Sequence, residues 1–337
     1  MGFLGSSMPP IIRVSIGSAI KLGLTNGALD AEPTTAYLLS YVDGKCSSNC
    51  AFCSQARESS SREDMLSRVT WPIFNTERVV QAISSSWKKD QLRRVCLQTV
   101  NHNKSFRETI ATVVAIRSVA SIPISISCMP FNKSEMRQLK RAGVDRIGIP
   151  LDASTKELFD RLKGSSAGGL YQWESHIVAL QSAVKIFGEG EVSTHLIVGL
   201  GESDRELLDT VQKLAEMGVY PGLFAFTPIL GSKLEKAPQP NLCRYHKLQL
   251  AHHLLMKEIS SFKAMAFDSE GNLLSFGVSE EMLRNEVLSG VPFVTSGCPG
   301  CNRPYYNERP GGKLYNYPEK PKSDETTEIL KEILKVT

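Results

Sequence analysis

Three cysteines fall within eight residues, in the order Cys46-Ser-Ser-Asn-Cys50-Ala-Phe-Cys53. Thiolates are soft ligands suited to iron–sulfur and zinc sites. Three of them can hold three irons of a cubane cluster. The sequence supplies no fourth thiolate at comparable spacing, so one iron is left open for a small chelating ligand. A structural zinc site is usually closed by four ligands, and no nearby Cys or His completes one here. Eight cysteines stand at 46, 50, 53, 96, 128, 243, 298 and 301. In a chain read as cytoplasmic, that usage points to metal or redox chemistry rather than to disulfides. A second close pair, Cys298-Pro-Gly-Cys301, can chelate one edge of a cluster or a zinc ion.

The elements that must position these thiols follow from the hydrophobic pattern. Short β-branched runs at Ala36–Val42, Arg94–Thr99, Ile122–Ser127, Asp145–Ile149, Val192–Val198, Gly222–Phe226, Lys263–Phe267 and Pro292–Thr295 read as strands. Amphipathic stretches lie between them, among them Glu77–Ser84, Glu135–Ala142, Gln172–Phe187, Arg205–Glu216 and Tyr245–Ser260. Parallel neighbours need a crossover, and about eight strand–helix units favour a closed (β/α)8 barrel of the TIM type. The expected organisation is an N-terminal extension over 1–33, the barrel over 34–297, and a cysteine-containing segment and tail over 298–337. The first cysteine group directly follows the first strand, where a barrel carries its catalytic loops.

The net charge of +4, with no run of one sign, argues against a nucleic-acid partner, which favours a clustered basic face. No stretch approaches the roughly 20 apolar residues of a membrane span, and the opening lacks the layout of a signal peptide. Met1-Gly2 with Ser6 matches a lipidation pattern only as short patterns commonly do. A cytoplasmic location with neither membrane nor nucleic acid as partner is expected.

The Cys-x3-Cys-x2-Cys spacing, with Phe52 just before the last cysteine, resembles the signature loop of radical S-adenosylmethionine (SAM) enzymes. The resemblance implies that Cys46, Cys50 and Cys53 hold a [4Fe–4S] cluster whose open iron binds SAM. It also implies that an electron from the cluster releases a 5′-deoxyadenosyl radical. Thr194-His195-Leu196-Ile197-Val198-Gly199-Leu200-Gly201-Glu202 is similar to the family's adenine-binding strand, which implies cofactor contacts at Ile197, Gly199 and Glu202. Asp152 matches the position that hydrogen-bonds ribose. Gln98 and Thr99 sit where the family's second strand meets the methionine part of SAM, although the usual Gly-Gly-Glu is missing.

Over roughly Thr34 to Cys298 the sequence resembles biotin synthase and its relatives, whose barrel cysteines hold an auxiliary cluster that donates sulfur. Cys96 and Cys128 match two of those cysteines, and Ser193 stands at the third. With Cys298 and Cys301 they make a possible four-thiolate set for a second, auxiliary [4Fe–4S] cluster. The alternative joins Cys298 and Cys301 to Cys243. The segment Cys298-Pro-Gly-Cys301-Asn-Arg-Pro-Tyr-Tyr-Asn-Glu308 is similar to the two-protein lipoyl synthases, in which paralogous radical SAM proteins insert two sulfurs into a protein-bound octanoyl chain. That likeness implies an octanoylated lipoyl domain or glycine cleavage H-type protein as substrate. It further implies a second paralogous component and a low-potential electron donor such as ferredoxin. Arg303, Tyr305, Tyr306 and Glu308 would then close the barrel mouth or meet the acceptor domain. The rival readings are a biotin synthase variant, a methylornithine synthase-type mutase, a non-catalytic iron–sulfur carrier, and a nucleic-acid thiolation enzyme. The last would bring a basic RNA-binding module, which the sequence does not show.

Overall fold

The computed structural model describes residues 8–308 and 311–336, so the Met1-Gly2 and Ser6 pattern lies outside the described residues. The strands in chain order are β1 Ile11–Val14, β2 Thr35–Leu39, β3 Met65–Leu66, β4 Val69–Thr70, β5 Ile73–Asn75, β6 Arg94–Gln98, β7 Ile124–Ser127, β8 Arg146–Gly148, β9 Val192–Val198, β10 Val219–Ala225, β11 Ala266–Phe267 and β12 Leu273–Ser275. Eight of them make one sheet in the order β10-β9-β8-β7-β6-β2-β1-β5. From β10 to β2 every neighbouring pair is parallel. Helix α1 Ile16–Lys21 follows β1, and the crossovers carry helices α2 Thr76–Lys88, α3 Ser105–Arg117, α4 Lys133–Arg141, α5 Lys156–Lys163, α6 Trp173–Phe187 and α7 Asp204–Glu216.

Each parallel strand adds beside its predecessor, with no reversal of strand order. Right-handed crossovers then place all the helices on one face, and the twisted sheet curls as a barrel wall does. Local sequence fixes where these helices start. Asn132 with Glu135 and Ser203 with Glu206 form reciprocal capping boxes at α4 and α7, each cap contributing about 1 kcal/mol. The helices seal the sheet through fully buried side chains such as Ile83, Val113, Leu139, Leu180 and Leu208, each contributing roughly 1.5–3 kcal/mol of transfer free energy.

Two expectations are corrected. The wall has six parallel strands, not eight. Residues 262–264 and 291–293 form 3-10 turns, and β11 pairs only with β12 in a separate hairpin. Pro292 cannot donate to a ladder, and Gly290 turns the chain at φ 70° just before it. The N-terminal extension, expected outside a barrel over 34–297, instead adds a strand to the sheet. β1 lies between β2 and β5, antiparallel to both. No ladder among the described residues joins β10 back to β5. Residues 294–308 cross that opening instead, anchored at one side by Leu223 N donating to Ser296 Oγ (2.9 Å). At the other side Thr34 N donates to Asn302 Oδ1 (3.0 Å). Helices α8 Leu242–Met256, α9 Glu280–Leu288 and α10 Ser323–Val336 complete the outer layer. No helix among the described residues is long and apolar enough to cross a membrane.

Candidate active site

Side chains alternate along a strand, so one set from each strand faces into the barrel. On β2 that set is Thr35, Tyr37 and Leu39; on β6 it is Arg94, Cys96 and Gln98; on β9 it is Ser193, His195 and Ile197. The inward residues line two chambers. The upper, at the C-terminal strand ends, takes Leu39, Gln98 and Ile197. The lower takes Thr35, Tyr37, Arg94, Cys96 and Ser193. Ser127, His195, Phe224 and Arg303 border both.

The upper chamber is open at its mouth, and Cys46, Cys50, Phe52 and Cys53 all line it. Their loop is stapled from several sides. Cys46 N donates to Gln55 O (2.9 Å), Ser47 N to Asn101 O (2.8 Å) and Ala51 N to Leu162 O (2.7 Å). Asn49 Nδ2 reaches Ala167 O (2.8 Å). Gly231 packs beneath the loop's continuation at φ +84°, where an added Cβ would lie 2.5 Å from Ser61 N. Backbone N–H groups point at two of the sulfurs: Ser48 N at Cys46 Sγ (3.5 Å) and Gln55 N at Cys53 Sγ (3.4 Å).

Burial is the largest influence on Cys50 and Cys53. It pushes Cys50 well up, against the pull of Lys163, and takes Cys53 to about 12 despite the Gln55 N–H. Cys46 and Cys53 both add their charge to Cys50. Three mutually interacting thiols with N–H donors at their sulfurs suit the iron–sulfur cluster the loop resembles, because bound iron displaces the thiol protons that burial retains. Among the described residues no three His, Cys, Asp or Glu side chains converge on a single ion, whereas a cluster takes one thiolate per iron.

Asp152 lines the same chamber in the left-handed region, at φ 67°. Its N donates to His195 O (2.8 Å), and Ile197 N donates to its carbonyl (2.8 Å), which ties this strained residue to β9. Lys163, which the sequence reading missed, ends α5 with its side chain fully buried. Its Nζ donates to Asp152 Oδ2 (2.7 Å) and Pro150 O (2.8 Å). The ammonium also sits 5.2 Å from the Phe159 ring centroid and 5.4 Å from that of Tyr171. Removing one partner of a buried pair strands the other charge. Lys163→Met is therefore expected to cost about 3–5 kcal/mol of stability, read from urea unfolding midpoints at unchanged slope. A loss below about 1 kcal/mol would mean that the pair is solvated or dispensable.

Phe52, Gln98, Thr99, Asp152 and Ile197 all line the upper chamber. Gly199 and Glu202 do not. The Glu202 carboxylate accepts from Gly199 N (2.8 Å) and Leu200 N (2.9 Å) and pairs with Arg244 (3.1 Å). It holds the turn after β9, and Gly199 packs on Pro240. His195 is kept neutral, lowered to about 4 by burial first and Arg303 second, as a wall residue would be.

The lower chamber brings Cys298 and Cys301 to Cys96. Each of the pair raises Cys96, which burial above all pushes to about 12. Tyr37 OH lies 3.1 Å from Cys301 Sγ. Cys128 departs from the expected four-thiolate set. It follows the end of β7, beyond the inward alternation, and lines the upper chamber. None of the other cysteines is among the influences on it. Cys243 is also apart, its thiol directed at Glu332 O (3.7 Å) between α8 and α10. Arg303 forms the partition. Its guanidinium donates to Gln98 Oε1 (2.9 Å) and lies 3.9, 5.1 and 5.6 Å from the ring centroids of Tyr306, Phe224 and Tyr37. Glu308 does not meet solvent at a mouth; it accepts from Tyr315 N (2.9 Å) and Asn316 N (2.8 Å).

Several known proteins resemble this chain in sequence or fold. Biotin synthase of Acinetobacter calcoaceticus is 23% identical over 270 residues, covering 77% of this chain and 78% of its own length. Biotin synthase of Methanococcus aeolicus is 26% identical over 206 residues, covering 58% and 57%. Among solved structures, methylornithine synthase superposes with a TM-score of 0.50 at 13% identity, over 72% of this chain and 66% of its own. HydG, a maturase of the [FeFe]-hydrogenase, gives 0.50 at 14% identity, over 79% and 65%. The chain thus spans just under two thirds of those two solved proteins, and at such identities the likeness is one of fold. The sequence model of the Radical SAM superfamily matches residues 42–214, which takes in the three-cysteine loop and the parallel strands β6 to β9. With that loop at the mouth of a singly wound parallel wall, this chain belongs to the radical SAM superfamily.

Proposed function

We propose that this radical SAM enzyme inserts sulfur, as one component of a two-protein lipoyl synthase acting on a protein-bound octanoyl or mercaptooctanoyl chain. The observation that carries the reading is the approach of Cys298 and Cys301 to Cys96 directly beneath the SAM-binding chamber. A hydrogen-abstracting mutase has no use for a second thiol cluster there, and the homology to biotin synthases favours sulfur insertion in general. A [4Fe–4S] cluster with SAM would be held by Cys46, Cys50 and Cys53 and would supply radical chemistry able to take hydrogen from unactivated carbon.

The chain's own residues account for the rest of the work. Asp152, fixed by Lys163 and by β9, presents a carboxylate oxygen to a ribose. Leu39, Phe52, Val100, Ile197 and Ile229 give the upper chamber apolar walls suited to an alkyl chain and to exclusion of water. The Arg303–Phe224–His195 wall keeps the two chambers apart except where a substrate carbon reaches the boundary. An auxiliary cluster on the lower thiols would be the sulfur donor.

The test is intact-mass analysis of an octanoylated lipoyl domain and of an octanoylated H-type protein. Each is incubated anaerobically with SAM, a low-potential reductant such as reduced ferredoxin, and the paralogous component. Sulfur gain that requires this chain is the expected result; unchanged mass together with conversion of dethiobiotin would favour the biotin synthase reading that the named relatives suggest. Ser193, at the third auxiliary cysteine position of that family, weighs against it, since a hydroxyl is a poor replacement for soft thiolate.

A further inference from the structure

The lower chamber has an unbalanced charge. Three arginines (Arg94, Arg146 and Arg303) and three cysteines border it, and among its described lining residues there is no carboxylate. Arg146 is neutralised from behind by Glu191 (2.8 Å). Arg303 has the neutral Gln98 and the Tyr306, Phe224 and Tyr37 side chains as partners, with no carboxylate paired to it among the described residues. Arg94 is 7% exposed, and its Nε and Nη1 have no hydrogen-bond partner among the described residues. A buried guanidinium without an anion is costly, and an unsatisfied buried donor calls for a group that completes it. The inward alternation of β6 puts Arg94 one step below Cys96, on the same face.

From this we infer that the lower chamber is an anion site, in which Arg94 holds inorganic hydrosulfide on the one iron that Cys96, Cys298 and Cys301 leave without a thiolate. The inference rests on the proposed second cluster and deepens it. Cys128 is replaced as fourth ligand by an exchangeable anion. The formal charges agree. A [4Fe–4S]2+ core on three thiolates carries one net negative charge and hydrosulfide adds another, matching the two arginines that no carboxylate neutralises. Binding is a ligand exchange at iron with no net redox change. A guanidinium presents several N–H donors in a fixed fork to such an anion. A site of this kind would let the chain accept sulfur without dismantling the cluster.

The experiment uses the full chain carrying Cys46/Cys50/Cys53→Ala, reconstituted anaerobically with iron and sulfide and then desalted. Sodium hydrosulfide is titrated against the reduced cluster and followed by EPR, with iron counted in parallel. A saturable spectral change is expected, weakened ~10-fold or more by Arg94→Gln and by no more than ~3-fold by Arg94→Lys, which retains the charge. Cys128→Ala should keep both the iron and the titration. Equal affinity in wild type and Arg94→Gln, or no response to hydrosulfide, overturns the anion site while leaving the second cluster standing. Loss of iron in Cys128→Ala restores the four-thiolate set and also overturns it. Absence of iron in the triple-cysteine chain overturns the second-cluster reading and this inference together.

Discussion

Serine in place of Cys50 is expected to lower 5′-deoxyadenosine formation by ~1000-fold or more, equivalent to about 4 kcal/mol of barrier. Cys50 interacts with Cys46 and Cys53, and Lys163 pulls against the rise that burial gives it. With it gone, two thiolates remain for a cluster that needs three to keep its fourth iron available. Serine preserves the loop's size and hydrogen bonds but offers a hard oxygen where iron–sulfur chemistry favours soft sulfur. The triple Cys46/Cys50/Cys53→Ala chain should fall from about eight irons to about four after anaerobic reconstitution. Chromatographic assay of SAM turnover with dithionite, beside iron and acid-labile sulfide analysis, checks both statements. Full turnover by the Cys50→Ser protein would refute the assignment of this loop.

The second large effect separates the two chambers. Cys298→Ala/Cys301→Ala should abolish sulfur gain by the acceptor protein while leaving SAM cleavage within ~10-fold of wild type, because the upper chamber does not include either residue. Iron should again fall from about eight to about four. Part of the loss is structural, since Tyr37 OH contacts Cys301 Sγ and accepts from Arg303 N (2.8 Å). Tyr37→Phe is the control: it removes those contacts and keeps the thiol, and sulfur insertion should survive in it. Unchanged iron together with retained sulfur insertion in the double variant would end the second-cluster reading. About four irons in wild type, falling to none in the triple variant, would instead leave a one-cluster enzyme. The lower cysteines would then serve zinc or structure.

What the sequence made legible was local. The three-cysteine loop, the parallel ladder and its capped helices depend on spacing and short-range hydrogen bonds, and these fall where the periodicity predicts. The two missing strands show the limit of that reasoning. Short apolar runs at 263–267 and 292–295 have strand composition, yet Pro292 and the turn at Gly290 deny the second a ladder, and no strand composition specifies which neighbour is present. Lys163 gives no signal at all, because one lysine at the end of an amphipathic helix looks solvated until Asp152 and two aromatic rings are placed around it. Arg94 was likewise invisible, since a basic residue opening a strand ordinarily faces water. Glu202 erred in the other direction: its motif pointed to the cofactor, while its carboxylate closes the turn that bears the motif. Cys128 was assigned by its place in the order of strands, and only the side-chain alternation of β7 separates it from Cys96.

The segment 294–308 that crosses the open side of the wall also sets an order of assembly. All three thiols of the upper site precede α2 in the chain, whereas Cys298 emerges about 200 residues after Cys96, which at ~5–20 residues per second is some ~10–40 s of synthesis. Throughout that interval the nascent barrel has its lower cavity open, with Arg94 and Cys96 accessible from the side that Asn302 and Ser296 later span. The two sites therefore mature on different clocks. On the proposed two-cluster reading, the first can take up iron as soon as its wall has formed, while the second waits for late closure, and a cell short of iron or sulfide during that window would accumulate chains with the first cluster alone.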